Sequence, residues 1–216
     1  MILMRRRAGG FTLIEMMVAV TILSILLAIG IPTMRGWLTS TRATAASEFY
    51  AEGLRMARAE ALKRNLVSRL VLTTNAGNSQ QDWQIDICVD GAALCGPGTG
   101  TWSTTTTALT NKGATDFTSV FRSAKNLPPS GQMTVARVPA DATAVYFTPV
   151  GWVDSRVEAN LNQIIVGPAA DNTGTFPTTA VYLTGGGSVI KCNPATTETS
   201  ATTGTISAGD SRKCPT

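Results

Sequence analysis

The chain of 216 residues contains no histidine. That removes the commonest general base, the commonest metal ligand and every Ser-His or Cys-His nucleophile pair. There are only four cysteines, Cys88, Cys95, Cys192 and Cys214, and no CxxC among them. A zinc or thiol-redox site is therefore not expected. No paired carboxylates stand out on one element either, so no enzyme, no metal and no cofactor is expected. Gly96-Pro97-Gly98-Thr99-Gly100 has the look of a phosphate loop, but it lacks the GK[ST] ending and the following helix. Excess charge is also scarce. The formal net charge of +4 comes from 18 Lys+Arg against 14 Asp+Glu. Arg5, Arg6 and Arg7 supply three of those cations, and without them 15 stand against 14. The basicity is thus mostly a topogenic signal and not a nucleic-acid footprint.

What is present is concentrated at the N-terminus. Gly10-Phe11-Thr12-Leu13-Ile14-Glu15 lies between a short basic leader and an apolar run that continues to Ile31. From Phe11 this gives roughly 20 residues, enough to cross a bilayer core as a helix. Glu15 is the anomaly. A carboxylate within a membrane helix is costly and tolerated where it has a partner, so it reads as functional. A secretory signal peptide is the plain alternative. Against it, no small-x-small cleavage site follows the apolar run; the next residues are Gly30-Ile31-Pro32-Thr33. An ordinary anchor would keep the arginines on the cytoplasmic side but would leave Glu15 unexplained.

The stretch from Gly10 to Glu15 resembles the processing site of type IV pilins and type II secretion pseudopilins. In that family a prepilin peptidase cuts after the glycine and methylates the new N-terminus. The resemblance implies cleavage between Gly10 and Phe11, with Glu15 as the fifth residue of the mature chain. Pro32 falls at mature position twenty-two, where the family often has a proline. It further implies an α+β, type IV pilin-like fold: a long N-terminal helix packed on an antiparallel β-sheet, with a disulfide-closed C-terminal tail. The expected parts are a leader at 1–10, a transmembrane or filament-core helix half at 11–32, an amphipathic helix half at 33–66 and a β-rich globular domain at 67–216.

The residues beyond the apolar run fit that plan. Residues 37–65 lack proline and repeat apolar side chains at Ala46, Phe49, Tyr50, Leu54, Ala57 and Ala61, a stripe of helical period that predicts a face packed on a sheet. Glu52 with Arg55, and Glu60 with Arg64, are spaced to pair on a wetter face. Pro32 predicts a kink or local melting. Past Asn65 the pattern turns to short strands at 67–73, 83–89, 118–122, 133–138, 144–147, 163–166, 180–184 and 188–192. Gly185-Gly186-Gly187 reads as a hairpin turn. The Thr/Gly/Ser-rich segments 96–110, 171–179 and 195–207 read as loops. An exported domain forms disulfides. Pairing by proximity joins Cys88 with Cys95 and Cys192 with Cys214, although three pairings are possible and sequence alone does not choose.

Ala57-Arg58-Ala59-Glu60-Ala61-Leu62-Lys63-Arg64-Asn65 is similar to the helix end of the GspH/FimT group. Ser188-Val189-Ile190-Lys191-Cys192 and Gly209-Asp210-Ser211-Arg212-Lys213-Cys214 are similar to the cysteine-closed tail of FimT/FimU-type minor pilins. The resemblance covers about the first 70 and the last 30 residues. It implies a minor pilin that helps initiate or cap a type IV pilus, or else a type II secretion pseudopilin. The implied partners are other pilins, prepilin peptidase and the inner membrane. The globular domain would be periplasmic before assembly and on the cell-surface pilus afterwards. Some FimT-like proteins bind DNA through basic tail residues, and the matching positions here are Lys191, Arg212 and Lys213. Asp210 opposes that use. Past Leu66, nine Lys/Arg face ten Asp/Glu, and two or three phosphate contacts give little affinity.

Overall fold

A computed structural model describes residues 11–90, 92–106, 109–111, 114–170, 176–194 and 213–215; side chains at 31–36, 109–111 and 114–116 are outside the description. The chain forms two compact units, Met1–Thr39 and Ser40–Thr216. One helix, α1 (Leu13–Arg64), supplies secondary structure to both. Ten strands follow: β1 (Val67–Thr74), β2 (Gln81–Cys88), β3 (Leu109–Asn111), β4 (Ala114–Phe117), β5 (Val120–Arg122), β6 (Met133–Val138), β7 (Ala144–Phe147), β8 (Gln163–Pro168), β9 (Thr179–Leu183) and β10 (Val189–Cys192).

Both ends of α1 have local causes. Thr12 caps the start: its Oγ1 accepts the Glu15 amide at 3.3 Å, and its carbonyl accepts the Met16 amide at 3.2 Å. At the other end Asn65 takes φ 53°, a left-handed conformation that asparagine tolerates better than most residues. The Leu66 amide then turns back to the Ala61 carbonyl at 3.2 Å. That is the six-to-one bond of a Schellman cap, and it ends the helix just ahead of β1. α1 is helical at position 32, so the local melting expected there does not occur. The Pro32 side chain, and with it any kink or assembly role, lies outside the described residues.

In the second unit α1 packs through small side chains. Ala43, Ala46, Ala51, Ala57 and Ala61 are buried with Tyr50 and Leu54. Five of these, Ala46, Tyr50, Leu54, Ala57 and Ala61, belong to the predicted stripe; its sixth member, Phe49, is only partly buried but packs against the same core. Alanine and Gly53 let the helix axis approach the strands closely. Three polar anchors cross the contact. Trp83 Nε1 donates to the Phe49 carbonyl at 3.0 Å, Ser68 Oγ to the Ala57 carbonyl at 2.6 Å, and the Gln81 amide to Tyr50 Oη at 3.3 Å. Burial pushes the Tyr50 phenol well above its ordinary range, so it stays protonated.

The strands make two four-stranded antiparallel sheets, ordered β5-β2-β1-β7 and β10-β9-β8-β6, plus the β3-β4 hairpin. A single sheet was expected, so the architecture is richer than the strand pattern suggested. β3 begins at Leu109, inside a segment read as loop. The predicted Glu52–Arg55 pair does not form. Glu52 meets Arg122 of β5 at 3.8 Å, while Arg55 turns to Glu48 at 3.5 Å. Glu60 and Arg64 do pair, at 2.8 Å, but they are mostly buried, and Arg64 also lies over the Phe117 ring.

Candidate functional site: the N-terminal segment and the tail

In the first unit the residues from Leu13 to Gly30 form a helical stretch of mean hydropathy 2.4, and none of it is buried by the described residues. Its large side chains, Ile14, Met17, Leu23 and Leu26 among them, are all exposed. The polar interruptions are satisfied internally. Thr21 Oγ1 donates to the Val18 carbonyl at 3.0 Å and Ser24 Oγ to the Val20 carbonyl at 2.7 Å. Hydroxyls bonded within their own helix add little cost in an apolar medium. Glu15 is different. It is exposed in the first turn, and among the described residues its side chain has no ion pair. A carboxylate near a helix N-terminus is favoured by the helix dipole. Thr12 and Glu15 also have the T-x-x-E spacing of a capping box, a signal present in the sequence that the reading of Glu15 alone passed over. Phe11 is exposed beside them; Gly10, on the other side of the expected cut, lies outside the described residues.

The second candidate region is the C-terminal tail. Cys192 of β10 is joined to Cys214, and Cys88 to Cys95. The Cys214 amide donates to the Asn193 carbonyl at 3.0 Å, and Asn193 and Lys213 form a parallel bridge. The two tail cysteines pack with Ala180, Ile165 and Tyr182. The structure therefore places Lys213 one residue beyond the edge of β10, exposed. Lys191 is not available in the same way: its Nζ pairs with Glu48 of α1. Arg212 lies outside the described residues. Of the three basic candidates, only Lys213 is placed with its side chain exposed. Among the described residues no group of three or more Cys, Asp or Glu could hold a metal ion.

Among the described residues nothing covers this apolar stretch of helix, and Glu15 is the one carboxylate within it. Residues 5–31 match the family described as the prokaryotic N-terminal methylation motif. Together, the motif and the apolar helix support a type IV pilin-like protein. The α+β architecture and the Cys192–Cys214 bridge agree with a type IV pilin-like fold. The motif points to a structural and not a catalytic role, with processing by prepilin peptidase and assembly with other pilins. The apolar helix is consistent with membrane anchoring before assembly. No curated protein and no solved structure matches the chain.

Proposed function

We propose that this chain is a minor pilin of a type IV pilus, of the FimT/FimU type within the GspH/FimT group. It would be a structural subunit that helps initiate or cap the filament. The observation that carries this reading is the processing motif joined directly to a helix whose apolar window none of the described residues covers. Cleavage after Gly10 would leave Phe11 as a new, methylated amine four residues from Glu15. Before assembly the helix would sit in the inner membrane with the second unit in the periplasm; afterwards neighbouring pilin helices would replace the lipid. The bridged tail favours a pilus subunit over the second reading, a GspH-like pseudopilin of type II secretion. A pilus-borne DNA receptor is a third reading. Its weakness is the charge balance, together with the Lys191–Glu48 pair.

Deleting the gene in its host and counting surface pili separates the first two. A minor pilin predicts a fall in pilus number with type II secretion unchanged. Secretion lost while pili persist would make the chain a pseudopilin. Processing is tested separately by replacing Gly10 with leucine, which should leave a full-length membrane precursor. Mature protein still beginning at Phe11 would refute the assigned cut.

A further inference from the structure

We propose that the turn at residues 148–152, with the adjoining face of α1, docks a segment of a different subunit that carries a carboxylate flanked by apolar side chains. The inference deepens the assembly reading and rests on it. Val150 and Trp152 are each 62% exposed, and Leu62 of α1 is 49% exposed beside them. Gly151, between the first two, is in contact with Leu62: a Cβ there would lie 2.9 Å from Leu62 Cγ. Three large apolar side chains thus share one surface of the second unit.

That surface is held rigidly. The Thr148 amide donates to the Trp152 carbonyl at 2.8 Å, and the Trp152 amide returns to Thr148 Oγ1 at 3.2 Å. The Gly151 amide closes the turn on the Thr148 carbonyl at 2.8 Å, and the Val153 amide ties it to the Gly185 carbonyl at 2.9 Å. Gly151 and Gly187 both have φ 77°. A Cβ on Gly187 would run into the Gly151 carbonyl oxygen, so the two turns meet backbone to backbone. An exposed tryptophan on a fixed turn costs little further entropy when a partner covers it.

Charge indicates what the partner brings. Arg58 is half-buried at the same place and donates through Nε to the Gly151 carbonyl at 3.0 Å. Among the described residues this is its only hydrogen bond, and it has no ion pair. A guanidinium has five N–H donors. Arg55 and Lys191 both turn to one carboxylate, Glu48. The other carboxylates on this stretch are engaged elsewhere, Glu52 with Arg122 and Glu60 with Arg64. Among the described residues, a groove of about 380 Å³ lined in part by Arg55, Arg58, Leu62 and Gly187 thus has two cations and no carboxylate in its lining. A partly desolvated guanidinium is best matched by a carboxylate. The excess positive charge also disfavours the same patch of a second copy as the occupant, since like charges would face each other. Anionic lipid is the weaker fit: membrane-surface binding of that kind uses clusters of about four to eight basic residues.

The test places a photocrosslinking amino acid at position 150 of the full-length protein in its native host. The expected adduct is with another filament protein, through a peptide holding Asp or Glu near the linked residue. Arg58→Glu should lower adduct yield by about tenfold or more, and exchanging the partner's carboxylate for arginine should restore it. Trp152→Ser leaves the Arg58–Gly151 bond in place and should lower the yield similarly, so the test survives if Arg58→Glu fails to fold. Adducts formed only with lipid, with a second copy or with the chain's own residues 195–212 would overturn the proposal. So would no adduct at all in cells where the protein is cut at Gly10 and recovered in sheared filaments. Failure of both cutting and incorporation would overturn the assembly reading as well.

Discussion

Lys191 of β10 pairs through Nζ with Oε1 of Glu48 on α1, across 143 positions of sequence. The bond joins the last described strand to the helix and holds the Glu48 carboxyl below its usual range, with Arg55 adding a smaller pull. Glu48 is more than half exposed, so the pair contributes at most about 1 kcal/mol to stability. Its functional meaning is larger, because a lysine already matched to a carboxylate is a poor phosphate ligand. Lys191→Ala is therefore expected to shift unfolding only slightly and to leave duplex-DNA retention by the full-length protein unchanged in a gel-shift assay at physiological salt. Retention that is present and drops on this substitution would revive the DNA-receptor reading.

A second expectation concerns Gly53. A Cβ there would meet Leu70 Cδ1 at 2.9 Å and two Trp83 ring atoms at 3.0 and 3.1 Å. Both side chains are fully buried, and the Trp83 indole is tethered to the Phe49 carbonyl, so neither has room to give way. Alanine would gain about 1 kcal/mol of helix propensity, but overpacking costs about 1–3 kcal/mol. The steric term should win. Gly53→Ala is expected to be net destabilising and Gly53→Val more so, as read by chemical denaturation. A stabilised Gly53→Ala would mean that the helix and the sheet are less tightly apposed than described.

Much of this packing was legible because it is local. The boundaries of β6 and β7 follow from β-branched runs between turn residues, and Ala46, Tyr50, Leu54, Ala57 and Ala61 repeat with the helix. What could not be read depends on distant partners. Whether eight strands form one sheet or two is decided by pairings such as β6 with β8, which no strand's own pattern contains. Glu52 is spaced to reach Arg55, yet Arg122 arrives from β5 and takes it. β3 is hidden in the sequence because its threonine-rich surroundings suit turns, although threonine also favours strands. At the N-terminus the processing motif was fully local, as was the Thr12 cap. The surface around Arg58 and Trp152 was not, because it needs α1 and two turns brought together.

Asp154 carries a pH expectation. Its side chain is almost wholly buried and accepts from Arg156 Nε at 2.9 Å and from the Arg156 amide at 3.1 Å. The Arg156 hydrogen bonds hold the carboxyl below its ordinary value, outweighing the opposing effect of burial. Arg156 also reaches the Ala92 carbonyl at 2.6 Å, within the loop closed by Cys88 and Cys95. A carboxyl depressed in the folded state stabilises above its unfolded pKa of about 4, and this contribution is lost as pH falls through the lower folded value. Unfolding monitored across that acid range should show stability declining. Asp154→Asn should cost about 1–3 kcal/mol at neutral pH and remove part of the decline. An unchanged acid profile in the variant would assign the effect to other groups.

Glu15 sets the last and most consequential expectation. Within one chain it stands exposed at the start of α1, and its amide is capped by Thr12. Once helices from other subunits surround the uncovered window, that carboxylate enters apolar surroundings. An unpaired buried charge is strongly unfavourable there, while a close cation offsets much of the cost. On the assembly reading the cation is the amine at Phe11 of a neighbouring subunit, which exists only after cleavage and stays positively charged when methylated. Processing and incorporation would then be coupled, and one axial register would be preferred over its alternatives. Glu15→Val should leave membrane insertion and cleavage at Gly10 largely intact, because neither step needs the pair. Incorporation next to a partner pilin should fall sharply, read as crosslinking between the variant and its neighbours. A subunit at the very tip has no neighbour ahead of it, so a partial effect there would locate the chain at the tip. Unchanged crosslinking together with normal pilus number would show that the carboxylate does not recruit this subunit, and the charge-pair mechanism would have to be abandoned.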